Sequence, residues 1–117
     1  MNYEPWARVS LRIACNNCSV EDVATRLNLA SEDNSPDFWA ADLGGGSSIP
    51  LSEQLVRACL FMRANQAALA SLGGSNEINL HVGWTPRNPQ DGIAFNGELI
   101  RVLAECRAYV LLDTYQD

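Results

Sequence analysis

Between Leu51 and Trp84 the hydropathy changes period. Leu51, Leu55, Cys59, Met62, Gln66 and Leu69 recur at spacings of three and four, with Ala58 and Leu72 widening the stripe and Glu53, Arg57, Arg63 and Asn65 falling elsewhere. This is the repeat of a helix with one buried face. Pro50 and Ser52 suit its start, and Glu53 sets a carboxylate in the first turn, where the helix dipole favours it. Gly73-Gly74 stops it, because glycine takes the left-handed C-terminal conformation at no steric cost. Ile78, Leu80, Val82 and Trp84 then alternate with Asn79, His81 and Gly83, the two-residue period of a strand. One element must cover the other, so a long helix is expected on the Ile78 face of a sheet.

The flanks extend the pattern. Residues 7 to 15 alternate, with Val9, Leu11, Ile13 and Cys15 set against Arg8, Ser10, Arg12 and Ala14, a strand with one wet face. Ser19 reads as a helix cap with Asp22 three residues on, and Val20, Val23, Ala24 and Leu27 form the buried side of a short helix. A polar loop over 30–37 leads to a second strand with Trp39, Ala41 and Leu43 inward and Phe38, Ala40 and Asp42 outward. Gly44 to Ser48 reads as a flexible connection.

After Trp84, residues 85–92 carry two prolines and Asp-Gly, which suits a turn or an extended hairpin loop. Ile93 to Phe95 suits a short strand, and Asn96 a cap for a helix that buries Leu99, Ile100, Leu103 and Cys106. The near-continuous apolar run from Ala108 to Tyr115 suggests a central strand. This order predicts an α+β two-layer sandwich, a mainly antiparallel sheet with helices packed on one face, as a single domain over residues 1–117.

Charge narrows the function classes. A net charge of -6 disfavours nucleic acid and anionic membranes, which call for clustered positive charge, and permits a basic protein partner. With 47% hydrophobic and 19% charged residues, the composition is that of a folded domain and not of a disordered chain. All eight basic residues are Arg, the better residue for planar, bidentate contacts, although a GC-rich genome produces the same bias. The first six residues lack the basic region and apolar run of a signal peptide, and no stretch has the length of a membrane span. A cytoplasmic chain with four reduced thiols is expected.

The motifs that carry chemistry are sparse. Cys15-Asn16-Asn17-Cys18 is a CxxC at a strand-to-helix junction, where a redox thiol would be activated, but neither Trp nor Gly-Pro flanks or fills it. Zinc would need further ligands, and Cys59 and Cys106 sit on apolar helix faces, where cysteine behaves as a small hydrophobe. His81 is the only histidine, no GxSxG surrounds a serine, and the glycine run lacks the Lys-Ser/Thr of a phosphate loop. No catalytic residue, metal site or cofactor is therefore assigned.

Strand alternation gives a richer surface. It sends Arg8, Ser10, Arg12, Phe38, Asp42, Asn79 and His81 to the face away from the helices, and the Asp113 carboxylate places Tyr109, Leu111, Asp113 and Tyr115 there as well. Arg and aromatic residues mixed with carboxylates have the composition of a protein interface. A solvated face laced with Arg–Asp pairs has the same composition.

Several stretches carry a family likeness: Ala7-Arg8-Val9-Ser10-Leu11-Arg12-Ile13, Leu27-Asn28-Leu29, Trp39, the long helix, Gly92-Ile93, Leu99 to Ala104, and Leu111-Leu112-Asp113-Thr114-Tyr115. Together they resemble a bacterial family catalogued as domain of unknown function 4279. The resemblance implies a small cytoplasmic α/β domain without established catalysis, similar to some immunity proteins that neutralise toxins. Members carry a Pro and a Gly soon after the first helix, where this chain has Ala30-Ser31-Glu32-Asp33-Asn34.

The expected function is a non-catalytic protein-binding domain, of the immunity type, that masks a partner such as a toxin. Arg8 and Arg12 would meet partner carboxylates, Phe38, Tyr109 and Tyr115 would be apolar anchors, and Asp42 and Asp113 would orient the arginines, with His81 on the same face and the acidic loop 32–42 beside it. The alternatives are a small-ligand or thiol- or metal-dependent enzyme domain, with His81 as acid/base, or a homodimer using the sheet face on itself.

Overall fold

A computed structural model describes residues 6–86 and 92–115. In chain order the elements are β1 (Ala7–Ala14), α1 (Val20–Leu27), β2 (Phe38–Asp42), α2 (Leu51–Ala64), α3 (Gln66–Gly73), β3 (Glu77–Trp84), α4 (Gly97–Glu105) and β4 (Ala108–Thr114). The strands form one sheet in the order β2-β1-β3-β4. β1 runs antiparallel to both β2 and β3, while α4 intervenes between β3 and β4 and lets them run parallel.

Register places Val9, Leu11 and Ile13 opposite Val82, Leu80 and Ile78, and Leu11 and Ile13 opposite Ala41 and Trp39. These side chains form one core with Val23, Leu27, Leu55, Ala58, Met62, Leu69, Leu72, Leu99, Val102 and Leu103 from the helices. The fold is the expected α+β two-layer sandwich. Both expected caps are made: Asp22 N–H donates to Ser19 Oγ at 3.0 Å and Leu99 N–H to Asn96 Oδ1 at 2.9 Å. Buried Trp39 donates its indole N–H to Leu29 O at 3.1 Å.

The long helix is two helices. Asn65 Nδ2 donates to Phe61 O at 2.9 Å, a carbonyl that also accepts the Asn65 N–H at 3.1 Å, and the backbone leaves helical values at φ -115 and ψ 19. A side-chain amide that competes for the i−4 carbonyl loosens the ladder there. The stop after α3 also differs from its expected mechanism, because Gly74 is right-handed with φ -70. Close approach demands glycine instead: a Cβ on Gly73 would lie 2.7 Å from Cys106 O and 2.9 Å from Arg107 Cβ.

Gly44 to Ser48 is not a flexible connection at its start. Asp42 Oδ1 accepts from the N–H groups of Gly44 and Gly45 at 2.8 and 3.1 Å, and Gly45 and Gly46 hold φ of 88 and 112. Gly44 is buried against Gln54, a polar residue that lies fully inside on α2. Gln54 Oε1 accepts from Val9 N–H at 3.0 Å, and its Nε2 donates to Ala7 O and Ile49 O, both at 2.8 Å.

Three further expectations change. Ile93 to Phe95 forms no strand; Ile93 and Phe95 pack on the core without a ladder partner. Ile100 is exposed, and Val102 takes its place on the buried side of α4. β4 is an edge strand and not a central one. Of the turn expected over 85–92, residues 87–91 lie outside the described residues.

Candidate protein-binding face

Because directly paired residues share a face, register fixes the side of the sheet away from the helices. One row across it reads Asp42, Ser10, His81, Leu111, and the next reads Ala40, Arg12, Asn79, Tyr109. Arg8, Gly83 and Asp113 form a third, with Phe38, Ala14 and Glu77 beyond the second. Seven of the expected residues, Arg8, Arg12, Phe38, Asp42, His81, Tyr109 and Asp113, thus share this surface. Tyr115 follows β4 and packs edge-on against Trp6, with ring centroids 5.4 Å apart at 83°.

Trp6 did not enter the sequence-based set, since it precedes the alternating run. Its signal is Gly83: a Cβ there would lie 3.1 Å from the Trp6 ring and 3.3 Å from the Tyr115 ring. The glycine seats the aromatic pair on the sheet.

The face has a buried floor. Ser10, Asn79 at 9% exposure and His81 at 6% are enclosed, while Arg8, Tyr109 and Leu111 stand exposed around them. His81 therefore lies beneath the accessible surface and not on it. Its Nε2 contacts Asp113 Oδ2 at 2.6 Å, and since a carboxylate only accepts, the ring nitrogen donates. Asp113 is thus engaged by His81, and among the described residues no arginine pairs with it, in contrast to the orienting role expected.

Asp42 does meet an arginine. Its Oδ2 lies 3.5 Å from Arg8 Nε, while its Oδ1 is held by the Gly44 and Gly45 amides. An ion pair this exposed adds at most about 1 kcal/mol to stability, so its main effect is to aim Arg8.

Asn79 Oδ1, in the floor, is buried without a hydrogen-bond partner. Beside it, the Tyr109 pKa is pushed up by desolvation of the hydroxyl and by the neighbouring Glu77 carboxylate, with Asn79 opposing.

At Cys15 the surroundings oppose an activated thiol. Burial first, then the adjacent Cys18 thiol, push Cys15 up to about 12. Cys18 Sγ donates to Asn76 Oδ1 at 3.5 Å, and Asn76 Oδ1 also accepts the Asn17 N–H at 2.8 Å, so the motif serves to join two turns. Cys59 and Cys106 are buried in the core. Among the described residues, no three His, Cys, Asp or Glu side chains cluster as metal ligands, and no helix is long and apolar enough to cross a membrane.

The acidic loop is stitched to β2. Glu32 N–H donates to Ala40 O at 2.7 Å, Ala40 N–H to Ser31 Oγ at 3.1 Å, and Asp42 N–H to Glu32 Oε2 at 3.1 Å. No family model, curated protein or solved structure matches the chain.

Proposed function

We propose that this chain is a non-catalytic protein-binding domain that docks a partner on the sheet face away from its helices. The observation that carries the reading is the bare Asn79 Oδ1 in the floor, flanked by Arg12 and Tyr109, with Arg8 two rows away on the same face. A buried acceptor without a donor costs about 1–3 kcal/mol, which a donor on a partner recovers on docking. Arg8, aimed by Asp42, and Arg12 offer bidentate contacts to carboxylates, and Tyr109 and Leu111 supply apolar area beside them. The likeness to immunity-type domains and the net charge of -6 favour a toxin as the partner and the cytoplasm as the compartment. The high Cys15 pKa disfavours the thiol-enzyme alternative.

The test is capture of a stoichiometric protein by the tagged chain, followed by binding measurements with Arg8→Ala/Arg12→Ala/Tyr109→Ala. Loss of binding by about 100-fold or more, with the fold intact by circular dichroism, is the expected result for several hot-spot residues removed together. Unchanged affinity in the triple variant would remove this face from consideration.

A further inference from the structure

The sheet has two outer edges, and among the described residues only one of them is closed. On β2, the outward groups of Ala40 and the Asp42 N–H are taken by Ser31 and Glu32. On β4 the situation differs. Tyr115 N–H donates to Trp84 O at 2.9 Å, so in the parallel ladder Tyr109, Leu111 and Asp113 also turn their backbone groups to β3. Ala108, Val110, Leu112 and Thr114 therefore aim theirs outward, where no backbone partner meets them among the described residues.

This edge also lacks the usual protection. Exposed edge strands are ordinarily broken by Lys, Pro or a bulge, yet Ala108 to Leu112 is an unbroken apolar run. Tyr109 and Leu111 are 44% and 42% exposed on the open face, and on the helix side Leu112 is 40% exposed while Ala108 and Val110 pack on the core.

We propose that β4 pairs antiparallel with β4 of a second copy of this chain, about a two-fold axis at Val110, to make a continuous eight-stranded sheet. Parity allows it, since Val110 faces Val110 and Ala108 faces Leu112 with all their backbone groups aimed across the junction. The same register sets Tyr109 against Leu111 on the open face, an apolar cross-strand pair repeated on both sides of the two-fold axis. The occupant is another β4 because, among the described residues, each chain has one open edge. Edge-to-edge association then closes as a dimer and cannot propagate into a fibre. The surface goes beyond the docking face, and pairing would leave that face open on both copies.

Sedimentation velocity of the full chain from low micromolar to submillimolar concentration, without any partner, tests this. The 12.8 kDa monomer is expected to give way to a species of twice that mass. Val110→Pro removes an outward N–H and no bond to β3, and is expected to stay monomeric throughout. Should Val110→Pro fail to fold by circular dichroism, Leu112→Lys carries the test, with the dimer weakened at least tenfold. A wild-type chain that is monomeric at every concentration overturns the proposal. So does a dimer unaffected by Leu112→Lys, or a ladder of larger oligomers. None of these outcomes bears on partner capture by the open face.

Discussion

Gln54 completes the hydrogen bonding of Val9. β2 ends its pairing with β1 where Asp42 faces Ser10, and Leu43 and Gly44 N–H both turn to Val9 O at 2.9 and 3.2 Å. The Val9 N–H is left to the Gln54 side chain, which also takes Ala7 O. A carboxamide offers one acceptor and two donors in a plane, as a peptide group offers one of each, so a helix residue continues a sheet ladder that its own strand neighbour has left.

Replacing Gln54 by Leu strands the Val9 N–H and Ala7 O inside the protein. Unfolding in urea should show a loss of about 3 kcal/mol, with the slope against denaturant unchanged. A loss below about 1 kcal/mol would mean that water reaches those groups.

Gly44→Ala should act through the same amide. Its Cβ would lie 2.1 Å from Gln54 Oε1, so the side chain or the turn must move. The cost expected for such overpacking is about 1–3 kcal/mol. In the Gly44→Ala/Gln54→Ala double variant the two losses should be clearly less than additive; additivity would show that Gly44 acts independently.

Asn79→Leu separates stability from binding. Removing a buried acceptor that has no donor should leave the chain as stable as before or raise it by about 1 kcal/mol, while partner affinity falls. A variant that binds as tightly as wild type would mean that Asn79 Oδ1 is not used in docking.

The thiols make stability depend on alkaline pH. Burial raises Cys15 from 9.0 to about 12 and Cys106 to about 11 in the folded chain, whereas unfolded thiols release their protons near 9. Their contribution is whole below pH 9 and is lost as pH rises through the folded values. Denaturant midpoints should fall with pH across that window and fall less in Cys15→Ala/Cys106→Ala. Parallel slopes for the two proteins would refute the assignment.

Much of the face was legible because strand alternation is local: Arg8, Arg12, Asp42 and Tyr109 follow from parity alone. Its floor was not, since the enclosure of Ser10, Asn79 and His81 depends on neighbours from other strands. The place of β4 was hidden because an apolar run such as Ala108 to Leu112 is what a central strand requires. Asn65 sits off the apolar stripe, so periodicity ran through it unbroken while a single side-chain hydrogen bond divided the helix. Gln54 was missed for the opposite reason: composition marks glutamine as a surface residue, and only three-dimensional pairing shows what its amide replaces.

The strand order also sets when the chain can fold. β1 and β3 are the two inner strands, yet α1, β2, α2 and α3 are all synthesised between them. A nascent chain that has emerged only as far as Gly74 holds β1 with one partner and has no centre for its sheet. The loop joining the inner strands must close before their ladder can repay the entropy lost, so β1–β3 pairing is expected to set the folding rate and to wait until the ribosome has released Trp84.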